Sequence, residues 1–257
     1  MEMDNNPFKA PTARVADAHE ADGEFVPEGQ TVEAGRGTAW LGHGWEMFKA
    51  APGPWIGITV VYFVIAIVLG LIPILGGLAV NLLIPVFIGG IMLGCRALDQ
   101  GEELTVGHLF AGFSNNFGNL VLVGLIYLVG FVAIMIIAFV IGTVVGIGAA
   151  MTGAGKMAIL PVLLVALIAM LAILPLAMAL WFAPALVLFH GLAPFDAMKA
   201  SFFACLKNFM PFLVYGIVVV ILAILATLPI LLGWLVLTPV LFASMYAGYR
   251  DMFLRRA

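Results

Sequence analysis

The stretch Phe110–Tyr127, FAGFSNNFGNLVLVGLIY, starts as an amphipathic segment and becomes a purely apolar run at Asn119–Leu120. The pattern returns 92 positions later as Phe202–Val219, FFACLKNFMPFLVYGIVV. A fainter copy lies 65 positions earlier, in Trp45–Val60. The pairs that coincide without a gap in the two stronger copies are Phe110/Phe202, Asn116/Asn208, Phe117/Phe209 and Gly124/Gly216. We therefore predict one unit used three times, in which an interfacial helix leads into a pair of membrane-spanning helices.

The composition indicates a membrane protein. The chain is 64% hydrophobic and 10% charged, whereas soluble domains are roughly 45–50% apolar and about 25% charged. Several apolar runs approach or exceed the roughly 20 residues that a helix needs to cross a bilayer core. Runs such as residues 60–72, VVYFVIAIVLGLI, do not alternate between apolar and polar residues, so the predicted spans are helices and not the strands of a barrel.

The apolar runs predict an all-α fold with six transmembrane helices arranged as three hairpins. A cytoplasmic interfacial amphipathic helix, with aromatic residues suited to the headgroup region, precedes each hairpin. The three units cover about residues 40–98, 104–190 and 194–250. The predicted spans are about Trp55–Ile72, Leu78–Leu98, Leu120–Ile147, Met157–Phe189, Pro211–Leu228 and Trp234–Tyr249.

Residues 1–39 differ from the rest of the chain. They are rich in Asp and Glu and show no apolar periodicity, so they cannot bury enough surface to offset the entropy of ordering. We predict a disordered acidic cytoplasmic tail, followed by one transmembrane domain over residues 40–257.

The middle hairpin is predicted to be the longest. Its second helix, Met157–Phe189, would measure about 50 Å at 1.5 Å per residue, against about 30 Å of bilayer core. It should tilt, bend at Pro175 and Pro184, or project on the outer side. A small-residue loop, Gly148–Lys156, is expected between its two helices.

The basic residues predict the orientation. Lys and Arg of the membrane domain fall almost entirely on one side of the predicted spans, and Lys156 alone lies on the other. Because positive residues stay on the cytoplasmic side, both termini and all three interfacial segments are expected in the cytoplasm.

The predicted spans carry no chemistry that points to an enzyme. No Asp, Glu, His, Lys or Arg lies in the middle of a span, although such groups mark functional sites in membranes. The zinc-protease, nucleophile-elbow and phosphate-loop motifs are also missing. We therefore predict no catalytic residues, no metal site, no cofactor and no nucleic-acid partner.

Four residues are candidates for a pathway or for helix kinks. The second helix of each unit carries a mid-span proline, namely Pro85, Pro184 or Pro239. Asn81 precedes Pro85 by about one helical turn. Its side chain either lines a pathway or caps a backbone carbonyl, and the structural role is favoured because side chains commonly satisfy such groups.

A basic inner rim is the second candidate feature. Arg96, Lys199, Lys207 and Arg250 fall at predicted inner ends of helices or in interfacial segments. We expect them to contact anionic lipid headgroups, with each basic residue contributing on the order of 1 kcal/mol.

Four motifs together resemble those of a proteobacterial family of multi-pass inner-membrane proteins of unknown function. They are Gly44-Trp45-x-x-Phe48-Lys49, the span Pro85–Gly94, the linker Arg96-Ala97-x-Asp99-x-Gly101 and the element Leu109-Phe110-x-x-Phe113. The resemblance covers about residues 40–250 and leaves out the acidic tail. It implies a Gram-negative inner membrane and brings no reaction, ligand or catalytic residue with it.

Two functions remain open on the sequence. The leading hypothesis is a non-enzymatic accessory, scaffold or lipid-interacting component, whose partners are membrane lipids, a membrane protein or a second copy of the chain. The alternative is a transporter or channel for a small, weakly polar or amphipathic solute, with a hydrated path beside the three prolines. A dry, tightly packed centre would count against the alternative.

Overall fold

The computed structural model describes residues 23–151 and 159–255, which are mostly helical. A short strand, β1 (Glu24–Phe25), pairs antiparallel with β2 (Leu254–Arg255) near the other end of the chain. A 3-10 turn spans Val106–Phe110. The α-helices are α1 (Arg36–Ala50), α2 (Pro52–Gly70), α3 (Leu75–Asp99), α4 (Ala111–Ser114), α5 (Phe117–Met151), α6 (Ile159–Trp181), α7 (Ala183–His190), α8 (Pro194–Lys207), α9 (Phe209–Thr227) and α10 (Trp234–Phe253).

Five helical stretches are long and apolar enough to cross a membrane: α2, α3, α5, the run of α6 and α7, and α9. The prediction of a helical protein with several apolar spans is therefore confirmed. α10 is 20 residues long and is not one of these five, because polar residues such as Thr238, Ser244 and Arg250 interrupt its apolar sequence.

The first helices of the three pairs begin at matching positions. α2 begins at Pro52, α5 at Phe117 and α9 at Phe209, which are the same position in the three copies of the sequence unit. Their lengths differ, since α2 and α9 have 19 residues each and α5 has 35. At 1.5 Å per residue these lengths are about 28 Å and about 52 Å, so the middle pair is the longest, as predicted. α5 continues to Met151, and the rest of the predicted loop, residues 152–158, lies outside the described residues.

The turn between α2 and α3 and the turn between α9 and α10 are built alike. Ile74 and Ile230, each directly after a proline, have positive φ values of 65° and 52°. A Cβ on Gly76 would clash with Leu69 O, and one on Gly233 would lie 2.6 Å from Ala226 O. Both glycines are therefore required, because the two helices of each hairpin come into backbone contact at the turn.

The segment before α5, formed by the 3-10 turn and α4, packs against α3 just beyond its proline. A Cβ on Gly112 would clash with the carbonyl of Val86, the residue after Pro85, and one on Gly90 would clash with His108 O. These glycines allow two backbones to touch, as small residues do between membrane helices.

α1 packs in the same way against α10. A Cβ on Gly44 would clash with the carbonyl of Val240, the residue after Pro239. A Cβ on Gly37 would likewise clash with Pro211 O at the start of α9. α1 therefore packs against α9 and α10, which lie far from it in the sequence.

α8 packs against the break between α6 and α7, close to Pro184. The Ser201 hydroxyl donates to Met178 O at 2.6 Å and accepts from Phe182 N at 2.9 Å. In an unbroken helix these two backbone groups would bond to each other, so Ser201 is inserted into the hydrogen-bond ladder. Near its proline, each of these helices is thus contacted by one of the segments that precede α2, α5 and α9.

The buried core lies at the end of the molecule that carries β1 and β2, which we name the inner end. Large side chains with at most 2% exposure meet there from all three units: Trp55, Ile58, Ile91, Met92, Leu120, Phe182, Leu186, Tyr246 and Phe253. By contrast, no residue of α6 is buried within Ile159–Trp181. The outer part of the middle hairpin therefore presents its apolar side chains to the surroundings.

The predicted disordered tail needs a correction. The segment Gly23–Gly35, which we name the strap, is ordered and hydrogen-bonded to the C-terminal end, and helix α1 begins at Arg36. The prediction of disorder is therefore wrong for residues 23–39, and residues 1–22 lie outside the described residues. The strap is ordered through backbone pairing with residues more than 200 positions away, which apolar periodicity does not reveal.

Replacing Gly44 by Leu should separate α1 from α10. The new side chain has no space, so we expect the free energy of unfolding to fall by about 3 kcal/mol, as for overpacked cores. Gly42→Leu is the matched control, because nothing lies within 4 Å of a Cβ at Gly42 on the same helix. Its effect should stay within about 0.5 kcal/mol. SDS-induced unfolding in bicelles measures both, and equal stabilities of the two variants would contradict the packing described.

Candidate functional site

The strap ties the two ends of the chain together. Besides the β1–β2 pairing, Val26 N donates to Phe253 O and Gln30 N to Met252 O, both at 2.8 Å. The Asn208 side chain, at the junction of α8 and α9, accepts from Val32 N at 2.8 Å and donates to Gln30 O at 3.0 Å. The polar groups of the strap are therefore paired with the inner ends of the third unit.

Asp251 is the centre of a charged cluster on this inner face. Its carboxylate accepts from Arg36 Nε at 2.7 Å, from Arg36 Nη2 at 2.6 Å and from Trp40 Nε1 at 2.7 Å. The Asp251 side chain is 11% exposed and that of Arg36 is 42% exposed. Planar two-point pairing of this kind gives strong hydrogen bonds with defined geometry, so it fixes the start of α1 on the last turn of α10.

A second ion pair joins the first unit to the third. Arg250, one residue before Asp251, pairs with Asp99 at the last residue of α3. The Tyr246 hydroxyl also donates to Asp99, at 3.5 Å. Nearby, the Arg96 guanidinium lies 5.3 Å from the centre of the Phe189 ring, in cation–π geometry.

The four residues of the predicted basic rim have different surroundings. Arg96 and Arg250 have the partners just described, and Lys207 Nζ donates to Glu28 O of the strap at 2.9 Å. Lys199 is exposed on α8, on the same face as the exposed apolar side chains of Phe195 and Phe203. The lipid contact predicted for these four residues stays a prediction, and Lys199 has the surroundings best suited to it.

Histidines border the same face. His190 Nε2 lies 2.6 Å from the Tyr249 hydroxyl, and Phe25 of the strap stacks on its ring at 3.5 Å between centres. His43 Nε2 is buried without a hydrogen-bond partner among the described residues. A cavity of about 50 Å³ lined by His43, Arg36 and Asp251 adjoins it. This volume exceeds the roughly 10–15 Å³ that one water molecule needs.

The four pathway candidates lie apart from this cluster. Pro85, Pro184 and Pro239 are all buried. The Asn81 amide donates to Gly77 O at 2.8 Å, one turn back on its own helix. The carbonyl that Pro85 leaves without a helical donor is that of Asn81 itself, four residues before the proline.

Gly124 of α5 is placed against this part of α3. A Cβ there would lie 3.0 Å from Asn81 O and 2.7 Å from Leu82 O. The backbone of α5 therefore covers the carbonyls around the Pro85 kink.

The inner face offers paired charges and little open space. Sequence reasoning found its basic residues but not their acidic partners Asp99 and Asp251. Asp99 is the last residue of α3. The available signal was that Asp99 stands three residues after Arg96, a spacing at which two side chains are neighbours on one helix face. No comparable local signal marks Asp251, whose partner Arg36 lies 215 positions away.

The Cys205 thiol faces the broken helix from α8. Its Sγ donates to Met178 O at 3.6 Å. Burial raises the pKa of Cys205 to about 12, and the hydrogen bond with Ser201 lowers it in part. The thiol is therefore protonated at neutral pH and serves as packing.

The long apolar helices, with the paired charges confined to one end of the molecule, define an α-helical integral membrane protein. The chain is similar to a probable inner membrane protein of Burkholderia thailandensis, at 28% identity over 250 residues that cover 86% of this chain and 92% of the relative. This finding confirms the resemblance to inner-membrane proteins inferred from the sequence motifs. No protein-family model matches the chain, and no solved structure matches it significantly.

Replacing Asp251 by Asn should loosen α1 and the strap. The amide keeps the shape but loses the charge that holds Arg36, so we expect a loss of about 2 kcal/mol, as for hydrogen bonds to charged groups. Glu46→Gln is the control, because the Glu46–Lys49 pair lies on the exposed face of α1. Limited proteolysis of the strap measures the effect. The cluster would have no such role if the two variants were cleaved at the same rate.

Alkylation of Cys205 should be slow. In a Cys95→Ala background, a pKa near 12 instead of 9.0 lowers the thiolate fraction about a thousandfold, and only the thiolate reacts. Ser114→Cys in the same background provides an exposed thiol for comparison. Iodoacetamide labelling at pH 8 followed by mass spectrometry measures both rates. Similar rates for the two thiols would show that Cys205 is accessible.

Proposed function

We propose that the protein is a six-span, non-enzymatic component of the bacterial inner membrane, acting as an accessory, scaffold or lipid-interacting protein. The name of the Burkholderia relative supports the inner membrane as its location. The five apolar stretches support several crossings.

α10 supplies the sixth crossing in this proposal. It follows α9 after a turn built like that of the first hairpin, and its 20 residues measure about 30 Å, the thickness of a bilayer core. Its outer end carries Trp234 and its inner end carries Arg250. This distribution matches the interfacial preferences of aromatic and basic residues.

The three helix pairs are, in this proposal, parallel repeats inserted with the same polarity. Matching helix starts, matching outer turns and the cyclic contacts of the inner-surface segments support this arrangement. The β1–β2 pairing places both described ends of the chain on one face. The basic residues of that face favour the cytoplasm.

Close packing around the three prolines is the observation that carries the proposal. A transporter of the kind considered above would need a hydrated path beside Pro85, Pro184 and Pro239. These residues are instead buried, and backbone of another segment touches α3 and α10 one residue beyond Pro85 and Pro239. Around Pro184, fully buried side chains such as Phe182 and Leu186 fill the space. This packing favours a role exerted through outer surfaces over a role in solute passage.

The proposed topology can be tested with single cysteines. Ile230→Cys, at an outer turn where Ile230 is 88% exposed, should react with a membrane-impermeant maleimide in cells whose outer membrane is permeabilised. Glu102→Cys, in the exposed loop after α3, should react only after the inner membrane is opened. The proposed topology places three crossings between these positions, so labelling of both cysteines from the same side would contradict it.

The proposed lack of transport needs its own measurement. Liposomes containing the purified protein should swell in glycerol, urea or short-chain amines at the rate of protein-free liposomes. Faster swelling in any of these solutes would contradict the proposal and favour transport. Intact-mass analysis of the gently extracted protein would identify any stoichiometric partner.

A further inference from the structure

The contact between the first and second units is close, whereas the corresponding contact between the second and third units is open. Between the first and second units, α5 packs directly on α3 because Gly124 leaves room for the carbonyls of Asn81 and Leu82. Gly216 is the matching residue of the third unit. It has no atom within 4 Å of the position that a Cβ would take. The space that α3 fills beside Gly124 is therefore open beside Gly216.

An apolar cleft occupies this space between α6 and α9. Its volume is about 630 Å³, within the roughly 300–1,000 Å³ typical of ligand pockets. Carbon atoms form nearly all of its lining. The wall from α6 includes Leu174, Ala177 and Met178, and the wall from α9 includes Gly216 and Val220.

The inner end of the cleft is closed by aromatic rings. The Trp181 ring meets those of Phe212 and Tyr215 edge to face, at 5.9 and 6.2 Å between centres. Cys205 of α8 also lines the cleft at this end. The remaining boundary opens sideways between two apolar helices, so the cleft faces acyl chains once α6 and α9 lie in a bilayer.

The surroundings of the cleft decide what can enter it. Its α9 wall runs from Phe209 to Ile221, about 18 Å at 1.5 Å per residue. Both flanking helices belong to stretches that are long and apolar enough to cross a membrane, so acyl chains would surround the opening over this length. A hydrocarbon chain in the cleft can contact the carbon atoms of both walls at about 3.5–4 Å.

We propose that the α6–α9 cleft is a binding site for one acyl chain of a membrane phospholipid. The chain replaces the missing helix–helix contact and supplies the dispersion contacts that the walls would otherwise lack. This inference deepens the lipid-interacting role proposed above and rests on it for the placement of α6 and α9 in the bilayer.

Photocrosslinking tests the site. The full-length protein is reconstituted in vesicles of phosphatidylethanolamine and phosphatidylglycerol with a trace of phosphatidylcholine that carries a diazirine on one acyl chain. After irradiation, label should concentrate on cleft residues such as Met178 and Ile217 over Val64 and Val129, which are 54% and 60% exposed elsewhere on α2 and α5. Equal labelling of all these positions would overturn the site.

Two cleft-filling variants sharpen the test. Gly216→Trp and Ala177→Phe, on opposite walls, should each lower cleft labelling by about tenfold, since losing the contacts of two methylene groups is enough for that change. Gly142→Trp is the matched control, because Gly142 is an equally open glycine in a span but does not line the cleft. Tryptophan fluorescence and size-exclusion profiles confirm that the variants fold.

The outcomes separate this inference from the proposed function. Unchanged cleft labelling in both folded variants, or the same loss in Gly142→Trp, would overturn the acyl-chain site while leaving the membrane placement intact. Absence of label from α2, α5, α6 and α9 alike would overturn the placement of these helices in the bilayer, and the site with it.

Discussion

Backbone groups inside a bilayer must find partners within the protein, and a mid-span proline takes one such partner away. The second helix of each pair carries a proline of this kind, and each of these helices has another part of the chain placed close to its proline. Glycine allows backbone contact at α3 and α10, while a serine hydroxyl enters the broken ladder between α6 and α7. Because all three contacts lie towards the inner end, the buried core collects there. Along α6, away from these contacts, no side chain is buried and most apolar side chains are exposed.

The same sequence unit gives two different surroundings for one glycine. Gly124 lies against the preceding helix, whereas Gly216 borders an open cleft, although the two glycines occupy matching positions in the sequence copies. The flanking residues differ, because Tyr215 precedes Gly216 where Val123 precedes Gly124. Tyr215 contacts Trp181 of α6 at the closed end of the cleft. A repeated unit can thus supply structure at one seam and a binding surface at another.

The sequence allowed a helical protein with several long apolar helices to be predicted, because each apolar run is a local signal. The predicted starts of three spans, Trp55, Leu120 and Pro211, lie two or three residues after the observed helix starts. The strap and the partners of Asp99 and Asp251 could not be predicted, since they join residues that are distant in the chain. The glycines of α1 show the same limit: Gly42 and Gly44 look alike in sequence, yet only Gly44 touches another helix. The cleft was missed for a related reason, as an open seam is a property of two helices and not of either one.

The pairing of the strap with β2 has a consequence for how the protein is made. α1 leaves the ribosome before the other described helices, but its main packing partner, α10, follows all of them in the chain. The carboxylate that binds Arg36 belongs to the final turn of that helix. α1 therefore lacks this partner until α10 has been synthesised, and an amphipathic helix can bind the membrane surface during that time. Synthesis of Asp251 and β2 is the step that allows α1 and the strap to pack, so it comes after the apolar helices described here have been made.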